Sequence, residues 1–256
     1  VYLPQLPADH ALVALTCYDA SFARVMVEAG VDILLVGDSL GMTVQGFDST
    51  LPVSLEHMRY HTAAVARGTA GRALVIADLP FGSYQQSPAQ AFSAAAELLA
   101  AGANMVKLEG GAVMVETVRF MVERGVPVCA HLGLLPQSVN ATGYRAQARD
   151  AKAATQLLAD AHALQDAGAS MLVLESIPAS LAADVTQVLS IPTIGIGAGP
   201  ACRGQVLVLH DLLGLTPRPP RFAKNFMADA NSIAAAIAAY VSAVREGLFP
   251  GPEHSF

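Results

Sequence analysis

Short apolar runs of strand length alternate with longer stretches whose apolar residues recur at helical spacing. The strand-like runs are "ALVALTC" (11–17), "DILLVGD" (32–38), "ALVIADL" (73–79), "NMVKLEG" (104–110), "PVCAHLG" (127–133), "SMLVLES" (170–176), "PTIGIGAG" (192–199) and "QVLVLHD" (205–211). Between most of them lie helical patterns such as "SFARVMVEAG", "PAQAFSAAAELLAAG", "MVETVRFMVERG" and "AATQLLADAHALQDAG". Gly30, Gly68, Gly102, Gly125 and Gly168 stand where helices should close, since glycine tolerates the left-handed conformation of a helix end. Ser87-Pro88 reads as an N-cap followed by proline in the first turn.

Alternating strands and helices predict parallel strands. Eight such units in 256 residues predict one (βα)8 barrel domain spanning residues 1–256. The competing architecture is an open, doubly wound sheet. Its glycine signature is poor here: "GIGAGP" offers Gly195, Gly197 and Gly199, but Pro200 follows, and the stretch comes late in the chain. No Walker A sequence occurs.

A barrel carries its chemistry where the strands end at their C-terminal side. Those ends hold Asp38 and Ser39, Asp78, Lys107 and Glu109, His131, and Glu175. Side chains alternate along a strand, so Lys107 and Glu109 share the face opposite Val106 and Leu108 and point into the barrel mouth. Singly, such an aspartate is commonly a helix cap, and such a histidine a satisfied core residue. Together, converging carboxylates repel unless something positive sits among them. A hard divalent cation fits oxygen donors, with magnesium the best candidate. His57 and His61 have metal-pair spacing, but "HMRYH" lacks the glutamate of H-E-x-x-H, so a structural role is expected. His162 and His210 have no supporting pattern.

Composition narrows the function classes. Hydrophobic residues make up 53% and charged residues 14%, which points to surface hidden against other subunits. A net charge of −6 argues against nucleic acid, and no apolar run is long enough to span a membrane. The first residues lack the pattern of a signal peptide. The three cysteines are widely separated, without C-x-x-C, so a reducing cytoplasm is the expected compartment.

Gly37-Asp38-Ser39-Leu40-Gly41 matches the G-x-S-x-G of a hydrolase nucleophile elbow and also spells "GDSL". An elbow turns directly into a helix, whereas "LGMTVQGFDSTLPV" reads as a long loop. The late Asp-x-x-His of GDSL esterases is also absent. Ser39 is therefore expected to be a hydrogen-bond donor to substrate beside the metal ligand Asp38.

"VGDSLGM", "GFDSTLPV", "MRYHTAAVARG", "ADLPFGSY", "AGANMVKLEGG", "VPVCAHLGLLPQSVN", "GASMLVLES", "IPTIGIGAG", "FAKNF" and "PGPEHSF" resemble the ketopantoate hydroxymethyltransferase family from about residue 14 onward. The resemblance implies a barrel of the phosphoenolpyruvate/pyruvate superfamily. It implies transfer of a one-carbon unit from 5,10-methylenetetrahydrofolate to 3-methyl-2-oxobutanoate in pantothenate synthesis. A cytoplasmic homodecamer with one Mg²⁺ per subunit is implied as well. The implied roles are Asp38, Asp78 and Glu109 at the metal, with Asp38, Ser39, Asp78 and Lys107 on the keto acid. Glu175 is implied as the proton acceptor, and His131 as a further site residue. Arg203-Gly204-Gln205 replaces a common Asp-Gly-Gln, "YRAQAR" departs from a lysine-containing form, and "GSYQQSP" is an unusual loop at the mouth. Other functions weighed were a magnesium-dependent carbon–carbon lyase or mutase of the same superfamily, and a noncatalytic assembly protein.

Overall fold

Each strand-like run contains a strand in the structure, a computed structural model that describes residues 6–7, 9–143 and 145–256. The order is β1 (Leu12–Thr16), α1 (Ala20–Ala29), β2 (Ile33–Val36), α2 (Leu40–Thr43), α3 (Leu55–Thr69), β3 (Leu74–Asp78), α4 (Pro88–Ala100) and β4 (Met105–Glu109). It continues with α5 (Val115–Val122), β5 (Val128–Gly133), α6 (Val139–Thr142), α7 (Ala151–Asp166), β6 (Met171–Glu175) and α8 (Ala179–Val188). β7 (Thr193–Ile196), β8 (Gly204–Leu207), α9 (Leu209–Leu212) and α10 (Ile233–Arg245) complete it. The strands pair in parallel in chain order, and β8 returns to β1 through Leu12↔Gly204, which closes the barrel. The open sheet is thereby excluded. Among the described residues no helix is long and apolar enough to cross a membrane.

Three details differ from the sequence expectation. The run 205–211 is a strand only to Leu207, and its end turns into α9, which buries Leu209 and Leu212. An apolar run that ends in a buried helical turn has no periodicity to distinguish it from a longer strand. The run 192–199 leaves the sheet after Ile196, where Gly197 takes φ 60°. A Cβ on Gly197 would meet the rings of Phe222 and Phe256, so this glycine loop is packed by aromatics. Gly30, Gly102, Gly125 and Gly168 do follow helices with positive φ, but Gly68 lies inside α3. The left-handed cap of α3 is Ala70, φ 48°. Ser87 caps α4 as expected, accepting from the Gln90 backbone N–H.

Alternation along the strands sets up the site. Ile76, Lys107, Cys129 and Val173 line the barrel interior. Two residues further on, the same face presents Asp78, Glu109, His131 and Glu175. Register places Asp78 beside Lys107, Glu109 beside His131, and Glu175 beside Gly133. The opposite face buries Val106, Leu108, Leu172 and Leu174 beneath the helices. Each such side chain contributes about 1.5–3 kcal/mol on leaving water. The Arg203 departure lies at the other end of the barrel: its guanidinium donates to the backbone oxygens of His10 and Pro7 and ties the incoming chain to the base. Of "YRAQAR", Tyr144 lies outside the described residues.

At Gly68, α3 packs closely against α1. A Cβ there would stand 2.5 Å from the Ala20 carbonyl oxygen and 2.7 Å from the Ala23 Cβ. Gly68→Ala gains about 1 kcal/mol of helix propensity. Overpacking against backbone costs about 1–3 kcal/mol, so the clash should win. A lower thermal midpoint is the expected result, and a raised one would show that the helices separate at no cost.

Candidate active site

Asp78, Lys107, Glu109, His131 and Glu175 meet at the C-terminal end of the barrel, with Asp38 on the turn after β2. Lys107 Nζ lies 3.0 Å from Asp78 Oδ1 and 3.4 Å from His131 Nδ1. His131 bridges two carboxylates: Nδ1 is 3.5 Å from Glu109 Oε1, and Nε2 is 3.3 Å from Glu175 Oε2. The Asp38 backbone N–H donates to Asp78 Oδ2 at 3.1 Å. The side chain of Glu175 is 13% exposed against 5% for Asp78 and 2% for Glu109, so Glu175 is the carboxylate most open to the mouth.

Ser39 follows Asp38, but its surroundings differ from expectation. The chain passes at once into the single helical turn α2, and the expected loop follows it, over residues 44–54, up to α3. Local geometry therefore resembles an elbow more than the sequence indicated. The partner decides against a nucleophile: Ser39 Oγ shares a 2.9 Å hydrogen bond with the Tyr18 hydroxyl, and no histidine is hydrogen-bonded to it among the described residues. His210, after β8, packs against Tyr18 at a tilt of 54°, with ring centroids 5.5 Å apart. His57 serves in the capping box of α3, and His61 Nδ1 contacts the Tyr18 carbonyl at 2.7 Å, both structural roles.

Gln137 and Tyr84 were not singled out in the sequence. Gln137, on the turn after β5, is buried and donates from Nε2 to Asp38 Oδ2 at 2.9 Å. Its backbone N–H donates to Glu109 Oε2 at 3.0 Å. The Tyr84 hydroxyl, from the "GSYQQSP" loop, donates to Gln137 Oε1 at 2.6 Å. Neither residue titrates near neutrality, so a search for charged groups passes over both. The usable signal was their position in loops that follow strands at the C-terminal face.

Burial and mutual repulsion shape the electrostatics. Burial, then the charges of Asp78 and Glu109, push the Asp38 carboxyl well above the usual range. Burial also works against the charge of Glu109, yet the close His131 imidazole and the charge of Lys107 hold its carboxyl below the usual range. Burial and Lys107 oppose a charge on His131, but the adjacent Glu109 and Glu175 carboxylates outweigh them and raise it above the usual range. Burial likewise disfavours the Lys107 ammonium, and Asp78, Glu109 and Asp38 more than restore it.

The donor set suits a hard cation. Asp38, Asp78 and Glu109 bring carboxylate oxygens to one mouth, and Asp78 Oδ1 and Glu109 Oε1 are buried with a charged neighbour but no hydrogen bond. Among the described residues no three His, Cys, Asp or Glu side chains form a ready-made metal cage. Mg²⁺ usually takes only one or two protein carboxylates and completes its shell with water and substrate oxygens, so the residues fit it.

A family model described as ketopantoate hydroxymethyltransferase matches residues 4–252. The 3-methyl-2-oxobutanoate hydroxymethyltransferase of Thiobacillus denitrificans is 65% identical over 246 residues, covering 96% of this chain and 94% of the relative. The same-named protein of an Azoarcus species is 62% identical over 245 residues, covering 94% and 90%. In fold the chain is similar to 2,3-dimethylmalate lyase, a member of the PEP mutase/isocitrate lyase superfamily, with TM-score 0.58. That likeness covers 78% of this chain and 74% of the lyase at 21% identity, and it speaks to the barrel alone. With nearly the whole chain matched, and at this level of identity, the protein belongs to the ketopantoate hydroxymethyltransferase family.

Proposed function

We propose that this chain transfers a hydroxymethyl group from 5,10-methylenetetrahydrofolate to 3-methyl-2-oxobutanoate, giving 2-dehydropantoate and tetrahydrofolate with uptake of one water, as a step in pantothenate synthesis. The observation that carries the proposal is the gathering of Asp38, Asp78, Lys107, Glu109, His131 and Glu175 at one barrel mouth in a member of this family. The same mouth would also suit a lyase or mutase acting on a 2-keto acid. Family membership favours transfer, and dependence of turnover on the folate separates the two.

Carbon–carbon bond formation requires loss of the proton on C3 of the keto acid, which leaves negative charge on the ketone oxygen. Mg²⁺, which Asp38, Asp78 and Glu109 would hold, supplies Lewis-acid stabilisation of that charge, worth several kcal/mol. Lys107 offsets the substrate's own charge from a buried position. The Ser39 hydroxyl, oriented by Tyr18, donates to the substrate carboxylate. Glu175 accepts the C3 proton, and His131 keeps its carboxylate aimed. A positioned base of this kind contributes about 10²–10⁴-fold. Water supplies the hydroxyl oxygen: it adds to the methylene carbon, and both C–N bonds to that carbon break to release tetrahydrofolate. C3 attacks the resulting formaldehyde-level carbon, whose oxygen takes up a proton to become the hydroxymethyl group, with no covalent bond to the protein.

Assembly as a homodecamer and a cytoplasmic location belong to the same proposal. Tyr60, Val113, Leu215 and Leu248 stand exposed on the isolated chain, as surfaces covered by other copies would. Light scattering should report an oligomer, and a stable monomer at micromolar concentration would contradict that part.

The role of Glu175 is open to a direct test. Glu175→Gln keeps the shape but cannot take the proton. It should retain keto-acid binding while losing at least about 10²-fold in the exchange of the C3 hydrogen with D₂O, followed by NMR with and without folate. Wild-type exchange under both conditions would transfer the role to another group, His131 first.

A further inference from the structure

Gln137 is buried, and every polar atom of its side chain is engaged. Nε2 donates to Asp38 Oδ2 and to the Leu79 carbonyl, each at 2.9 Å. Oε1 accepts from the Tyr84 hydroxyl at 2.6 Å and from Gln85 Nε2 at 3.2 Å. At one end the Leu79 carbonyl can only accept, and at the other end Tyr84 and Gln85 donate. The amide therefore has one allowed orientation, because the flipped one sets oxygen against oxygen. Its backbone N–H separately holds Glu109 Oε2 at 3.0 Å. Tyr84 locks the arrangement further, since its hydroxyl also accepts the Glu109 backbone N–H at 3.2 Å.

One residue thus ties one oxygen of each of two site carboxylates. We propose that Gln137, braced by Tyr84, is a positioning residue that fixes Asp38 and Glu109 so that Asp38 Oδ1 and Glu109 Oε1 are the oxygens offered to a divalent cation and its keto acid. This rests on the function proposed above. The residue type follows from the task. Asparagine is one methylene too short to span the same contacts. Glutamate would set a fifth carboxylate in the mouth, 2.9 Å from Asp38. An apolar side chain would leave Asp38 free to rotate. Outer contacts that orient metal ligands are typically worth about 10–100-fold in metal affinity.

Gln137→Met preserves length and volume, keeps the backbone N–H to Glu109, and removes the amide. Mn²⁺ serves as the probe, with free Mn²⁺ read by electron paramagnetic resonance on the full chain, with and without 3-methyl-2-oxobutanoate. The expected result is about 10–100-fold weaker Mn²⁺ binding, a raised KM for the keto acid, and a kcat at saturating Mn²⁺ that changes much less. A residue that merely packs the core would lower the thermal midpoint and leave Mn²⁺ affinity untouched, and that outcome overturns the proposal. Should Gln137→Met fail to fold, Tyr84→Phe carries the test, because it keeps the ring and removes only the brace. It should weaken Mn²⁺ binding by a smaller factor, and wild-type affinity there also overturns the proposal. Absence of Mn²⁺ binding to the wild-type protein in the presence of the keto acid would defeat the functional reading itself, and the role of Gln137 with it.

Discussion

The structure is organised around buried negative charge. Asp38, Asp78 and Glu109 are buried at the end of an apolar barrel, with the Lys107 ammonium and the His131 imidazole beside them. Removing an ion from water costs several kcal/mol even after relaxation, so such a cluster is poor value as a stabilising device. Each neighbouring contact is intelligible as a response to it. Lys107 pairs with Asp78, His131 lies between Glu109 and Glu175, and Gln137 supplies N–H groups to Asp38 and Glu109. Burial first, and then the charges of Asp78 and Glu109, push the Asp38 carboxyl up, the direction expected where carboxylates crowd one mouth. In the proposed function a divalent cation supplies the balancing charge, and the negatively charged keto acid binds together with it.

The scaffold makes this imbalance tolerable. Strand alternation puts Asp78, Glu109, His131 and Glu175 one layer above Ile76, Lys107, Cys129 and Val173, so the polar layer rests on a floor that is otherwise largely apolar. Parallel register sets the neighbours side by side. Helices packed as closely as α1 and α3 at Gly68 hold the strands from outside. Glu175 lies on the opening side, further exposed than Asp78 and Glu109, as its proposed role of proton acceptor requires.

Much of this was legible in the sequence because two periodicities dominate it. Strand-length runs and helical stretches announced the eight units, and polar residues closing apolar strands announced Asp78, Lys107, Glu109, His131 and Glu175. What was hidden had no such contrast. The end of β8 was masked because the apolar run continues into α9. Gly68 looked like a helix end because glycine serves both positive φ and close approach, and only the packing of α1 distinguishes them. α2 was concealed by the glycine and β-branched residues around Ser39. Gln137 and Tyr84 act through neutral hydrogen bonds from loops, and their importance emerges only when β3, β4 and β5 are brought together.

The central claim is that the keto acid and a divalent cation enter this mouth as partners, each supplying charge that the other lacks. Isothermal titration of 3-methyl-2-oxobutanoate into the wild-type protein and into Asp38→Asn, each in Mg²⁺ and in EDTA, tests it most directly. The account predicts that wild-type binding is at least about tenfold weaker in EDTA, and that Asp38→Asn loses most of this dependence, as expected when one of the few protein carboxylates on Mg²⁺ is neutralised. Equal wild-type affinity in Mg²⁺ and in EDTA would contradict it.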